Sequence, residues 1–433
     1  MAAESRAPGR TLRLLTPLRL RDFRWLWTGM TVSLLGDGAF MVAIAWAAYE
    51  ISDTPSALAM IGLATSLPQV VLLLVGGAIS DRVDRRLLMV ASDVVRALAI
   101  GALAALALGG VLELWHMVAL TAVYGAATAF FGPAFDAIVP DVVPADQLAE
   151  ANSLDQFVRP AALRLAGPAL GGIVVAATGA GWGFAINAAS FAFSAACIIR
   201  MRTAAAANDD PQEAGTLVGE MREGFRFVRR HVWLWGTFCG ATISYLLFMG
   251  PTEVLLPYLV KQDIGGGAGV LGAVFAAGGI GALAAAAVMG QRGIPRRNMT
   301  FILVAWSIGT LAVAGYGLAV LPWQLMLAAF VFNVLETAGL IVWATTKHRL
   351  VPSRLLGRVS SVDWFISIGL VPLSFALTAP VAAALGARTT LVAAGVLGAL
   401  VTFACLFLPG MRAIESRDDA APALAPEAAP SIT

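Results

Sequence analysis

Twelve stretches of this chain are almost continuously apolar, and short polar segments separate them. They run at about 25–49, 58–79, 87–108, 114–135, 155–178 and 181–199, and then at about 232–259, 267–290, 299–320, 322–345, 360–383 and 389–409. Each is close to the ~20 residues that a helix needs to cross hydrocarbon. In a bilayer only helices and closed barrels satisfy every backbone N–H and C=O. The pattern therefore predicts an all-α polytopic membrane protein with twelve transmembrane helices, numbered here as spans 1 to 12.

Composition agrees with the pattern. Of the 433 residues, 59% are hydrophobic and 13% charged, and the mean hydropathy is +0.80. No soluble domain has core enough for that much apolar surface. Net charge is only +2, yet the basic residues are placed unevenly. One side would collect Arg6 to Arg24, Arg82, Arg85 and Arg86, Arg200 to Arg230, Arg292 to Arg297, Lys347 to Arg358, and Arg412 and Arg417. The other side would keep Lys261 and Arg388. Because basic loops stay in the cytoplasm, both termini are expected inside a plasma (inner) membrane. Residues 1–24 form a basic cytoplasmic lead-in, without the short apolar segment and cleavage site of a signal peptide. Cys197, Cys239 and Cys405 lie far apart in apolar runs and show neither disulfide nor metal spacing.

The expected organisation is a six-span half over 25–200, a cytoplasmic linker over 201–231, a second half over 232–410 and a disordered tail over 411–433. The linker begins with an Ala/Asp/Pro-rich stretch. It continues into Leu217–His231, where Leu217, Met221, Phe225 and Val228 share one face and Arg222, Arg226, Arg229 and Arg230 the other. That spacing predicts an amphipathic helix on the inner leaflet. Each half also carries traces of the other. Gly290-Gln-Arg-Gly-Ile-Pro-Arg-Arg297 degrades the charged loop at 77–86, and Val351-Pro352 after span 10 echoes Val143-Pro144 after span 4. Such internal repetition is typical of transporters.

The loop itself is Gly77-Ala-Ile-Ser-Asp81-Arg82-Val-Asp84-Arg85-Arg86. Its charges have no place in hydrocarbon and belong in water or among headgroups. At this spacing, between spans 2 and 3, it resembles the Gly-x-x-x-Asp-Arg-x-Gly-Arg-Arg/Lys loop of the major facilitator superfamily, with Asp84 in place of the second glycine. The resemblance implies two six-helix halves of the major facilitator fold. It also implies that Asp81 meets the start of span 11 near Ser360, Ser361 and Asp363 in the outward-open state, and that Arg85 pairs with Asp136 at the end of span 4. A carboxylate there would complement the positive end of the facing helix dipole. In span 5, Gly167-Pro168-Ala-Leu-Gly171-Gly172 matches the family's antiporter motif and implies export. Its small residues allow close helix approach, and its proline bends the helix.

Ionisable groups inside spans are costly and usually face a cavity or a partner. Asp37, between Gly36 and Gly38 in span 1, is the first candidate for proton exchange; Glu336 in span 10 and Glu253 in span 7 follow. Arg96 and Arg164 are the available counter-charges. Trp46, Tyr124, Tyr245 and Trp343 are candidate cavity-lining aromatics. Asp155, Arg159 and Asp363 lie close enough to the inner surface to form static ion pairs instead. The arginine that many proton-driven exporters of the superfamily carry in outer span 4 is absent. His116, the one titratable side chain in that region, belongs at the membrane–water boundary.

Phe23-Arg-Trp-Leu-Trp27, Gly36-Asp37, the 81–86 loop, Ala151-Asn152 and Val351-Pro-Ser-Arg-Leu-Leu-Gly-Arg-Val359 together resemble the twelve-helix branch of siderophore, macrolide and multidrug exporters. The resemblance runs from about residue 15 to 410. It implies a monomeric secondary transporter that exports small amphipathic compounds by proton antiport and alternating access. No phosphate-binding loop or metal-spaced His/Cys/Asp cluster is present. No enzyme activity, cofactor or nucleic-acid partner is therefore expected beyond the proton gradient, a small-molecule substrate and membrane lipid. The alternatives are uptake or lipid translocation on the same fold, and a transport-inactive membrane sensor or assembly partner.

Overall fold

A computed structural model describes residues 15–80, 83–144, 147–202, 217–292 and 295–415. Among these, twelve helical segments are long and apolar enough to cross a membrane. Span 1 is Arg21–Ile51, span 2 Pro55–Ser80, span 3 Arg85–Leu108 and span 4 Leu114–Val142. Span 5 begins as Leu148–Pro160, passes through a π turn at Ala161–Ala166 and continues as Gly167–Thr178; span 6 is Ala180–Ile199. A linker helix, Leu217–Arg230, precedes span 7, which is Val232–Tyr258 and ends in a second π turn, Leu259–Asp263. Spans 8, 9 and 10 are Ala268–Arg292, Asn298–Leu318 and Pro322–Leu350. Span 11 is Ser353–Ile368 followed by Val371–Leu385, and span 12 is Ala387–Cys405.

The hydropathy pattern missed two irregularities. Span 5 starts at Leu148 rather than near 155, and its π turn sits between Pro160 and Pro168. Proline has no N–H to complete the i→i−4 ladder, and one extra residue per turn is a common accommodation. Span 11, expected as one run over 360–383, breaks at Gly369–Leu370 just before Pro372. A poor helix former followed by a residue without a donor ends the first segment. Both breaks lie on spans that face the opposite half.

Within the first six spans, span 1 packs on 5 and 6, span 3 on 4 and 6, and span 2 on 4. Within the second six, span 9 packs on 10 and 12, span 8 on 10, and span 7 on 11 and 12. The two sets meet where span 5 lies against span 8 and span 2 against the Val371–Leu385 part of span 11. The first contact depends on missing side chains. A Cβ on Gly172 would lie 2.9 Å from the Cα of Gly272, and one on Gly272 would lie 2.7 Å from the carbonyl oxygen of Pro168. Without a hydrophobic drive between helices in lipid, such close backbone approach supplies the van der Waals contact.

The two ends of the bundle differ. At the end that holds residues 15 and 415, the terminal end, two separate apolar clusters form. One is centred on Phe23, Leu26, Met30, Ile138 and Ile198, the other on Trp233, Phe238, Met299, Trp343 and Val359. At the far end a single cluster runs through both sets of spans, from Ala43, Tyr49 and Phe184 to Val254, Leu259 and Leu271. Polar links reinforce it. Tyr49 Oη donates to the Val254 carbonyl at 2.6 Å, Gln262 Nε2 donates to Asp53 at 2.6 Å, and Lys261 Nζ donates to the Tyr49 carbonyl. That carbonyl belongs to the last turn of span 1, whose unpaired acceptors attract a cation.

Of the linker helix, Val228 turns inward at 2% exposed, whereas Arg226, Arg229, Arg230 and Phe225 face outward. Residues 203–216 and 416–433, which hold the first part of the linker and most of the expected tail, lie outside the described residues.

Candidate functional site

Among the described residues two polar sites lie inside the bundle, one in each set of spans. In the first, Asp37 on span 1 accepts a hydrogen bond from Tyr124 Oη on span 4 at 2.9 Å and one from Asn187 Nδ2 on span 6 at 3.4 Å. Both flanking glycines serve this placement. A Cβ on Gly36 would collide with Ser190 and Asn187 of span 6, and one on Gly38 would lie 2.8 Å from Gly167 Cα of span 5. The antiporter motif thus has two contacts: Gly167 and Gly171 seat span 5 on span 1, and Gly172 seats it on span 8.

Next to Asp37, Arg96 forms an ion pair with Asp93 one helical turn away on span 3. Asp93 is 0% and Arg96 3% exposed. The guanidinium lies 4.3 Å from the ring centroid of Phe131 and 4.4 Å from that of Phe191, held between two aromatic faces. Arg96 acts on Asp37 through space, but its bonded partner is Asp93.

In the second site Tyr245 Oη on span 7 donates to Glu336 Oε1 on span 10 at 3.4 Å. Trp306 Nε1 donates to the Glu336 backbone carbonyl at 3.2 Å. A cavity of about 30 Å³, lined among others by Ser244, Tyr245, Phe248, Trp306, Glu336 and Thr402, adjoins this carboxylate. Arg164 reaches across from the π turn of span 5 and donates to Asn333 Oδ1 on span 10 at 3.0 Å. It is the cation acting on both Glu336 and Glu253. Glu253 makes no hydrogen bond or ion pair to any described residue.

The other expected residues are distributed as follows. Trp46 packs against the far-end core with Lys261 Nζ 5.8 Å from its ring. Trp343 does not line the interior. It is 3% exposed in the terminal-end cluster, edge-on to Trp233 and Phe238, and donates to Asp363 at 3.1 Å. Its position one turn before Lys347 commits it to that end. Asp363 also pairs with Lys347, and Arg159 pairs with Asp155 at 3.3 Å, the static pairs expected near that surface. His116 caps span 4 by accepting from the Glu113 N–H at 3.0 Å.

In the charged loop Gly77 lies in the last turns of span 2, while Asp81 and Arg82 lie outside the described residues. Arg85 pairs with Asp141 at 2.9 Å, which corrects the expected pairing with Asp136. Asp136 sits more than a turn deeper and shares its surroundings with Arg159 and Asp155. Arg86 donates to the carbonyls of Ile198 and Ile199, closing the end of span 6. Asp84, the departure from the loop pattern, is the N-cap of span 3 and accepts from Arg86 N at 2.8 Å and Leu87 N at 3.3 Å.

Asp93, Asn187 and Asn333 were not singled out from the sequence. Two of them had a signal: Asp93 lies three residues before Arg96 and Asn333 three before Glu336, so each shares a helix face with a charge. Asn187 is a lone amide in an apolar run, and only the fold brings it to Asp37.

A bundle of two six-helix sets, joined through spans 2, 5, 8 and 11 with polar sites inside, defines a membrane transporter of the major facilitator type. The chain belongs to the transmembrane secretion effector family of that superfamily, whose model matches residues 13–430. It is 28% identical over 399 residues to the multidrug efflux pump Tap of Mycolicibacterium fortuitum, covering 88% of this chain and 94% of that protein. It is 27% identical over 362 residues to the MFS-type transporter YfiS of Bacillus subtilis, covering 79% and 83%. It is 24% identical over 241 residues to macrolide efflux protein A of Streptococcus pyogenes, covering 56% and 59%. Among solved structures, a bacterial homologue of the iron transporter ferroportin in an inward-facing state superposes with a TM-score of 0.65 at 15% identity, over 89% of this chain and 98% of that one. A mutant of the nucleoside transporter NupG gives a TM-score of 0.65 at 12% identity, over 87% and 98%. The protein is a transporter rather than an enzyme, and the family needs no cofactor. Among the described residues no group of His, Cys, Asp or Glu is arranged to hold a metal.

Proposed function

We propose that this protein exports small amphipathic organic compounds across the plasma membrane in exchange for protons. The observation that carries the reading is Asp37. It is a carboxylate in the middle of a span, and its hydrogen-bond donors are the neutral Tyr124 and Asn187. A charged carboxylate without a bonded cation is costly in this medium, and a proton that arrives and leaves as the surroundings change relieves that cost. The kinship with Tap and with macrolide efflux protein A supports the direction and the kind of cargo.

In this reading the basic terminal end faces the cytoplasm. The continuous far-end core then closes the extracellular side, and the halves 25–200 and 232–410 rock about the interior sites. Asp81 and Arg85, with Asp136 nearby, belong to the inner gate, and the working unit is a monomer. Lipid translocation is the second reading. It is favoured by an apolar groove of about 520 Å³ between spans 2 and 11, lined by Leu63, Leu67, Val70, Phe365 and Leu373.

The test is proton efflux from the acidified lumen of inside-out vesicles on adding lipophilic cations, macrolides or siderophores. A compound-dependent efflux that disappears in Asp37→Asn is the expected result. Unchanged proton-coupled transport in that variant would remove Asp37 from the mechanism.

A further inference from the structure

The linker helix does not rest on the bilayer by the whole of its apolar face, because the protein itself covers part of that face. Val228 is 2% exposed and belongs to the apolar cluster that joins Trp233 to Val351, Leu355 and Val359 at the start of span 11. The helix packs on the Ser353–Ile368 segment of span 11 and on the start of span 7. Its end turns into span 7 through His231, whose N–H donates to the Val228 carbonyl at 3.0 Å and whose Nδ1 lies 2.8 Å from the Phe227 carbonyl oxygen. The linker helix is therefore attached to both spans.

What it turns outward is charge. From Gly224 to Arg230 the helix carries three arginines and no acid. Arg226, Arg229 and Arg230 are exposed, at the i, i+3 and i+4 positions of one face, and Phe225 is 53% exposed beside them. None of the three arginines makes an ion pair or hydrogen bond to a described residue. Like charges at this spacing repel one another, so the face favours an anion from outside the protein. Its depth is fixed by the chain. Only His231 separates Arg230 from span 7, and Trp235, in the first turn of that span, is 37% exposed. Tryptophans gather at the level of the lipid headgroups. An exposed phenylalanine among the arginines fits that boundary and would gain nothing from a soluble anion.

We infer that the linker helix senses anionic lipid: headgroups bind Arg226, Arg229 and Arg230, and the bound surface tethers the first segment of span 11 through Val228. That segment ends at the Gly369–Leu370 break, ahead of the Val371–Leu385 part that faces span 2. Lipid charge thereby sets how firmly this part of span 11 is held. The inference goes beyond the exporter reading and is independent of cargo and coupling ion.

The test is amide hydrogen exchange on the full chain in nanodiscs of phosphatidylcholine with increasing phosphatidylglycerol. Phosphatidylglycerol should slow exchange in Leu217–Arg230 and in Ser353–Ile368 together. Salt at about 1 M should reverse the effect, because it shortens the reach of charge to about 3 Å. Arg226→Gln should raise the phosphatidylglycerol content needed for half of the protection by roughly fivefold, and R226Q/R229Q/R230Q should abolish the protection. These side chains are exposed, so the variants keep the core packing. Val228→Ala should keep the protection of the linker and lose that of span 11. Equal exchange in the two lipids, protection unchanged in the triple variant, or protection confined to the linker in the unaltered chain would overturn the inference. Inorganic phosphate acting as well as the lipid would overturn it too, by making the face a general anion site. So would protection in phosphatidylcholine that grows with the number of protein copies per disc, which would give the face to a second copy. Because no transport step enters this measurement, a negative result here leaves proton-coupled export standing. A negative vesicle experiment likewise leaves lipid sensing standing.

Discussion

The two interior sites are built from the same pieces in opposite order. In the first, the carboxylate is on span 1 and the tyrosine on span 4; in the second, the tyrosine is on span 7 and the carboxylate on span 10. The larger difference lies in the cation. Arg96 comes from the same half as the acids it serves and is clamped by Asp93, Phe131 and Phe191. Arg164 comes from the opposite half and crosses the interface to reach Asn333. If the halves move as rigid bodies, Arg96 travels with Asp37, so proton exchange at Asp37 follows its access to water, while the field of Arg164 at Glu253 and Glu336 changes with every rocking step. The first site is thus suited to exchange a proton, and the second to sense conformation.

That contrast is open to direct tests. The largest effect is expected from Asp37→Asn, which should lower proton-coupled export by about a hundredfold or more in vesicles while the protein remains folded. Arg96→Leu should come next, through stability. It leaves Asp93 buried and unpaired, at a cost of about 3–5 kcal/mol, whereas Arg164→Gln, whose side chain is exposed, should cost under about 1 kcal/mol. Thermal unfolding of the two purified variants separates them, and equal losses would erase the distinction between a clamped and a shared cation.

Packing at the seam should follow. Gly172→Leu forces a side chain into the Gly272 backbone and should destabilise the folded protein by about 1–3 kcal/mol or more, again read by thermal unfolding. Smaller still is the tyrosine comparison. Tyr124→Phe removes a 2.9 Å bond and Tyr245→Phe a 3.4 Å one, so the first should cost about 1 kcal/mol and the second less. The smallest change is expected at the far end. Lys261→Met removes a partly exposed link and should raise the population open at that end by a few fold, seen as greater spin-label separation across spans 1 and 7. No change in separation would show that the apolar core alone keeps that end shut.

Much of the architecture was legible along the chain, because hydrocarbon imposes one solution on long apolar runs. Twelve such runs could hardly be anything but helices. The ionisable residues within them were equally visible as Asp37, Glu253, Glu336, Arg96 and Arg164, since any charge in a span is conspicuous against its neighbours. The breaks in spans 5 and 11 were harder to see. Proline and glycine weaken a helix in sequence, but whether it bulges, breaks or continues depends on what packs against it. The pairing of Arg85 failed for a related reason. Asp136 and Asp141 lie on one helix five residues apart, and only the tilt of span 4 against span 3 selects between them.

The sequence by itself determined the number of spans, the family and the chemical groups that enter the membrane, because those follow from composition, spacing and local motif. Only the tertiary structure decided how the charges are shared. Arg96 and Asp93 are neighbours along one helix, but Arg164 and Asn333 are 169 residues apart and on opposite halves. Asp37, Tyr124 and Asn187 come from three spans. A charge in a span announces its cost wherever it occurs. The partner that offsets that cost is set by distances of a few ångströms between helices, which no one-dimensional pattern encodes.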